Sequence, residues 1–242
     1  MNTDQPVFLT ADWRRLVMLN YRVDPDWLTP YLPAHTEPEL WNGTCYASVV
    51  GFRFLDTRLK GIPIPLHRNF TEINLRFYVR RQDPVSGWKR GVVFIREVVP
   101  KPAITLLANL LYRERYRTRP TRYHWQEAAD ELHVEYAWRQ QRRWQTIGIK
   151  ADPTPIALKE GSEAEFISQQ NWGYTRAGPG KTFEYEVQHP RWQMYPVRSW
   201  YCDIDFGAVY GKAFAPLTRA EPVSVFLAEG SEARIFHKTV LI

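Results

Sequence analysis

The stretch Phe70 to Val79 constrains this chain more than any other. It reads FTEINLRFYV. Thr71, Ile73, Leu75, Phe77 and Val79 fall on one side; Phe70, Glu72, Asn74, Arg76 and Tyr78 fall on the other. A period of two is the signature of an extended strand. The first side is apolar and demands a core. The second sets Glu, Asn and Arg between two aromatic rings. It suits either a solvated face or the inside of a barrel, where the trio would line a polar cavity. Phe70 and Tyr78 point toward partial enclosure. DPVSG at 83–87 reads as a turn, and WKRGVVFIREVV returns as the paired strand of a hairpin.

Much of the chain reads the same way. RRLVMLNYRVD at 14–24, TCYASVVGFRF at 44–54, YHWQEAAD, ELHVEYAWR, WQTIGIKA, TFEYEVQH, SWYCDIDF, VSVFLAEG and EARIFHKTVLI all carry strand patterns. Helices are few. Asp24 is placed to cap a short one with Pro25 at its first position. Pro102 opens a longer one whose apolar positions Ile104, Leu107 and Leu111, with Ala103, Leu106 and Leu110, predict a buried central helix of about three turns. Ser162 and Glu165 form a capping-box pattern over 162–169. The 242 residues are 44% hydrophobic and show no repeat or low-complexity linker. The length allows one large domain or two small ones; one domain over 1–242 is expected, mainly β (α+β), either an antiparallel barrel or a pair of packed sheets.

Charge and special residues narrow the function. The net charge of +6 comes from Arg clumps such as RERYRTRPTR at 113–122 and RQQRRW at 139–144. These read as solvated faces. Nucleic acid is an unlikely partner, because no recognised nucleic-acid motif accompanies them. Two cysteines, Cys45 and Cys202, make no CxxC pair and suit a reduced compartment. The N-terminal MNTDQPVFLTADWRR lacks the apolar core of a secretory leader, and no apolar run reaches membrane-spanning length. A cytoplasmic protein without a membrane partner is expected. The six histidines include no pair at i, i+4, so the sequence calls for neither metal nor cofactor.

Lys101 stands out. It follows the strand GVVFIREVV and sits between Pro100 and Pro102 at the start of the helix. A lysine there opposes the helix dipole. It either snorkels into water or serves as a nucleophile. An amine attacks carbonyls only when unprotonated, and burial and a helix N-terminus both favour that form. A pairing with Glu97 would work the other way.

Taken in order, WRRLVMLNYRVDPDWLTPYLP, NFTEINLRFYV, FIREVVPKPAI, FISQQNWGYTR and YEVQHPRW resemble the uncharacterised YqjF-like (DUF2071) family of the acetoacetate decarboxylase-like superfamily. The resemblance implies antiparallel sheets curled into a barrel or cone around a central cavity. Against the decarboxylase itself it covers the N-terminal half. WRRLVMLNYRVD places that family's arginine on Arg14, FTE its acid on Glu72, and EVVPKP its Schiff-base lysine on Lys101. The last segment is one residue shorter here, and Pro102 replaces the decarboxylase's second lysine.

The resemblance implies an enzyme in which Lys101 and Glu72 meet in the cavity. Lys101 would form an imine with a small carbonyl-bearing acid, and Glu72 would move or orient a proton. Arg14 or Arg76 would hold the substrate carboxylate, with Asn74 also contacting it. Decarboxylation, dehydration and aldol-type chemistry all fit. The alternative is a non-catalytic module holding a small molecule in the same cavity. A homo-oligomer is compatible with both.

Overall fold

A computed structural model describes residues 5–242; the first four residues of the segment read for a leader lie outside that range. The chain opens with β1 (Val7–Arg22), β2 (Glu37–Pro38), β3 (Tyr46–Leu59), β4 (Ile62–Pro63), β5 (Phe70–Asp83) and β6 (Gly87–Val99). Helix α1 (Pro102–Tyr112) follows, then β7 (Tyr116–Thr118), β8 (Thr121–Glu127), β9 (Leu132–Gln140) and β10 (Arg143–Ala151). The second half holds α2 (Glu163–Ser168), β11 (Trp172–Gly178), β12 (Lys181–Gln188), β13 (Met194–Tyr195), β14 (Val197–Asp203), α3 (Phe206–Tyr210), β15 (Ser224–Phe236) and β16 (Thr239–Leu241).

The large sheet closes on itself. Its path runs β15–β1–β3–β5–β6–β11–β12, and β12 pairs again with β15. Neighbours around this ring are antiparallel except β6 and β11, which meet in parallel through Trp172 opposite Gly91 and Gly173 opposite Val92. The β12–β15 seam is equally brief, with Val187 opposite Ile235 and Gln188 opposite Arg234. Two such short seams give a cone rather than a regular barrel. A second sheet, β14–β10–β9–β8, packs on it.

The alternation first seen in β5 now has a cause. Both faces of the strand are buried. Ile73, Leu75, Phe77 and Val79 enter a core with Val17, Leu19 and Tyr21 of β1, Val134, Tyr136 and Trp138 of β9, and Ile147 and Ile149 of β10. Phe70 and Tyr78, on the opposite face, join Leu16, Met18, Val50, Phe52, Phe54 and Val92 in a second core. Each side chain buried this way contributes about 1.5–3 kcal/mol. Glu72, Asn74 and Arg76 lie on that second face, so the solvated placement is excluded.

The helix caps follow the sequence. The Asp24 carboxylate accepts from the Asp26 amide at 2.9 Å ahead of the short turn Pro25–Trp27. Ser162 Oγ accepts from the Glu165 amide at 3.2 Å, while Glu165 reaches back to the Gly161 amide rather than to Ser162. One expectation is overturned: α1 is not a buried central helix. Tyr112 is its one fully buried residue, and Leu106 and Leu110 are 68% and 72% exposed. The helix lies across one side of the cone with only its inner stripe covered.

Candidate functional site

The cone holds a cavity of about 250 Å³. Alternation along the strands supplies most of its wall: Phe52 and Phe54 from β3, Val92 and Phe94 from β6, Trp13 and Leu16 from β1. Trp172, Trp192 and Val187 close the other side, and Ala103, Ile104, Leu107 and Ala108 of α1 form a lid-like edge. Within this apolar enclosure sits a polar floor of Glu72, Asn74, Arg76, Glu97, Glu114, Tyr116 and Tyr185.

The floor is a hydrogen-bonded cluster. Glu72 accepts from Tyr116 Oη at 2.9 Å and from Asn74 Nδ2 at 3.1 Å. Glu114 accepts from Thr175 Oγ1 at 2.5 Å and from Tyr185 Oη at 3.0 Å. Arg76 donates to the Ile167 carbonyl at 3.0 Å from behind the wall. Of the buried side-chain atoms without a partner among the described residues, six belong to residues that line the cavity: Glu97 Oε2, Asn74 Oδ1 and Arg76 Nε on the floor, with Trp13 Nε1, Thr57 Oγ1 and Gln170 Oε1 elsewhere on the wall. Buried polar groups are nearly always satisfied, and the three on the floor stand together where something that enters the cavity could meet them.

Burial also changes how these groups hold protons. Glu72 is pushed up to about 7 by burial, against the Asn74 and Tyr116 hydrogen bonds and the Arg76 charge. Glu114 rises to about 7 for the same first reason, with Thr175 and Tyr185 opposing. Glu97 is raised well above the ordinary carboxyl range by burial and then by the charges of Glu114 and Glu72. The Tyr116 and Tyr185 hydroxyls are raised by burial and by the neighbouring carboxylates. Near neutral pH the floor therefore mixes proton-bearing and ionised carboxyls, the condition in which a side chain can both give and take a proton. Among the described residues no three His, Cys, Asp or Glu groups are disposed to hold a metal ion.

The sequence-predicted residues divide. Glu72, Asn74 and Arg76 share the cavity. Lys101 does not line it, nor does any other lysine among the described residues. Lys101 is the half-buried residue just before α1, and its side chain takes no hydrogen bond or ion pair there. In this structure Lys101 and Glu72 do not meet inside the cavity. The physical reason is the chain's turn at Pro100–Pro102, which gives the wall to Ala103 and Ile104. Arg14 is also outside. Trp13 takes the inward position on β1, and Arg14 lies 3.6 Å from both Asp12 and Glu229 with a third of its side chain exposed.

Two members of the floor were hidden in the arginine clump. Along RERYRT, Arg113, Arg115 and Arg117 are exposed, whereas Glu114 and Tyr116 line the cavity. The period-two pattern was present, but the arginines dominated it. Tyr185 and His189 had no comparable signal.

A family model for DUF2071, described as an uncharacterized conserved protein, matches residues 10–232. No curated protein matches. Among solved structures, an acetoacetate decarboxylase-like enzyme from Sphingomonas wittichii RW1 superposes with a TM-score of 0.67 at 14% identity, covering 97% of this chain and 93% of that one. Acetoacetate decarboxylase from Legionella pneumophila gives 0.64 at 13% identity, covering 100% and 90%. The enduracididine biosynthesis enzyme MppR complexed with pyruvate gives 0.63 at 12% identity, covering 100% and 92%. At these identities the likeness establishes an acetoacetate decarboxylase-like fold.

Proposed function

This chain belongs to the DUF2071 family, and from that premise we propose that it binds a small molecule in the cone, with an apolar body against the aromatic wall and a polar end on Glu72, Asn74, Arg76 and Glu97. The observation that carries this reading is the cluster of unpartnered buried atoms on the cavity floor, Glu97 Oε2, Asn74 Oδ1 and Arg76 Nε, beneath a mainly aromatic and aliphatic wall. A fold gains nothing by burying three carboxyls together; hydrophobic residues of similar size would serve stability better. Perturbed titratable groups in a cleft mark functional sites. If a reaction occurs, the floor offers acid–base work, with Glu72 and Glu97 exchanging a proton with the bound molecule.

Tryptophan emission provides the test, because Trp13, Trp172 and Trp192 all line the cavity. A panel of small aromatic and aliphatic molecules should include members that change the emission saturably and raise Tm. A panel that leaves both untouched at millimolar concentration counts against the reading.

A second reading keeps the imine. Lys101 lies two residues before Ala103, which lines the cavity, and an MppR structure of similar fold is complexed with pyruvate. For this chemistry the Lys101 side chain must swing inward past α1 and lose its proton there. Borohydride treatment with pyruvate and other keto acids, read by intact mass, decides it. An adduct that vanishes in Lys101→Arg supports the imine, and no adduct removes it.

A further inference from the structure

We propose that the ligand of this cavity presents a protonated primary amine, which docks between Glu97, Glu72 and Asn74 while its apolar body lies along the aromatic wall. The inference rests on the small-molecule reading above and specifies the chemical class.

The geometry favours donors on the ligand. Asn74 and Glu97 stand directly opposite each other across the β5–β6 pair, a position that brings Cβ atoms to about 5 Å. Each is almost fully buried, at 1% and 2% exposure, and each presents an unpartnered oxygen, Asn74 Oδ1 and Glu97 Oε2. Two adjacent empty acceptors call for one group with several donors. An ammonium has three donors and no acceptor. A carboxylate brings only acceptors and would face three acidic side chains.

Charge agrees. The titratable and charged groups lining the cavity are Glu72 and Arg76 from β5, His67 ahead of it, Glu97 from β6, Tyr112 from α1, Glu114 and Tyr116 leading into β7, Tyr185 from β12 and His189 beyond it, while Arg115 and Lys238 act on Glu114 from outside. Arg115 is exposed, with its guanidinium 4.8 Å from the Tyr31 ring centre, so three carboxyls share the cavity with one guanidinium. Arg76 is itself engaged by the Ile167 carbonyl, and its guanidinium lies 5.7 Å from the Tyr78 ring centre. An arriving ammonium replaces a carboxyl proton as the positive partner. Binding of an amine therefore releases protons, and its affinity rises as pH is raised from about 5 to 8, below the amine's own titration.

The test uses three molecules of nearly equal shape: phenethylamine, phenethyl alcohol and hydrocinnamate. Calorimetry in phosphate and in MOPS, two buffers of different ionisation enthalpy and without a primary amine, measures affinity and proton release together. The amine should bind at least about tenfold more tightly than the alcohol, release protons on binding, and gain affinity with pH. Hydrocinnamate should bind most weakly. Glu97→Gln should remove most of the amine's advantage over the alcohol. The wild-type pH series answers the same question should that variant fold poorly. If the alcohol or the acid saturates the site as tightly as the amine does, the amine inference is overturned while the cavity reading survives. If none of the three saturates it and the wider panel also fails, the cavity reading itself falls.

Discussion

Glu97 concentrates the energetics of the floor. Its carboxyl is raised well above its ordinary range, so the folded chain holds a proton there that the unfolded chain gives up near 4.5. The folded state thus binds more protons over that interval, and stability falls as pH rises. Glutamine keeps the shape and removes the titration. Glu97→Gln should match the wild type near pH 5 and exceed it in stability near pH 8, with the gap widening as pH rises, as read by urea unfolding at the two pH values. His133 and His189, lowered mainly by burial, add stability as pH rises through 6. They do so in both proteins and cancel in the comparison. Equal pH slopes for the two proteins would show that Glu97 is not a buried proton carrier. At this scale the sequence was partly legible. The shared face of Glu72, Asn74 and Arg76, which lines the cavity, was legible because period-two alternation assigns a face. Lys101 and Arg14 were misplaced into the cavity because motif likeness carries no information on which of two neighbours turns inward. Trp13 and Ala103 took those positions.

Helix α1 shows why a pattern of apolar residues does not fix what covers them. Its apolar residues form a broad face, which predicts a buried central helix. In the structure Ala103, Ile104, Leu107 and Ala108 close the cavity, while Leu106 and Leu110 remain exposed. The small residues Ala103 and Ala108 leave the space that the cavity occupies. Ala108→Phe should fill part of it and weaken binding of any cavity ligand by tenfold or more. The cost in stability should stay near the ~1–3 kcal/mol typical of overpacking. Tryptophan titration paired with a thermal melt checks both. Unchanged affinity would mean that ligands enter elsewhere and never approach this edge. The segment 113–118 leading into β7 teaches the complementary lesson: its inward Glu114 and Tyr116 followed a regular alternation, but charge composition masked it.

Closure of the cone is the property of the whole chain that the sequence conveyed least. Antiparallel strands in a barrel or a pair of packed sheets were legible, because local alternation and turns report hairpins, and the cone came from the family resemblance. The parallel seam between β6 and β11 joins residues about eighty positions apart, and nothing local announces it. It depends on Gly91. A Cβ there would overlap the Trp172 backbone carbonyl, and Trp172 is both its partner across the seam and part of the cavity wall. Backbone cannot yield as a side chain can, so Gly91→Ala should push β11 outward and open the chamber. Ile149 offers the contrast. It is fully buried in the core shared with the second sheet and takes no part in lining the cavity, so Ile149→Ala should cost about 2–5 kcal/mol through lost packing alone. Both variants should lower Tm. Under conditions where each is folded, Ile149→Ala should retain ligand affinity within about threefold, while Gly91→Ala should lose tenfold or more. Parallel losses of stability and affinity in both would mean that the cavity responds to global stability, and that the seam has no special part in forming it.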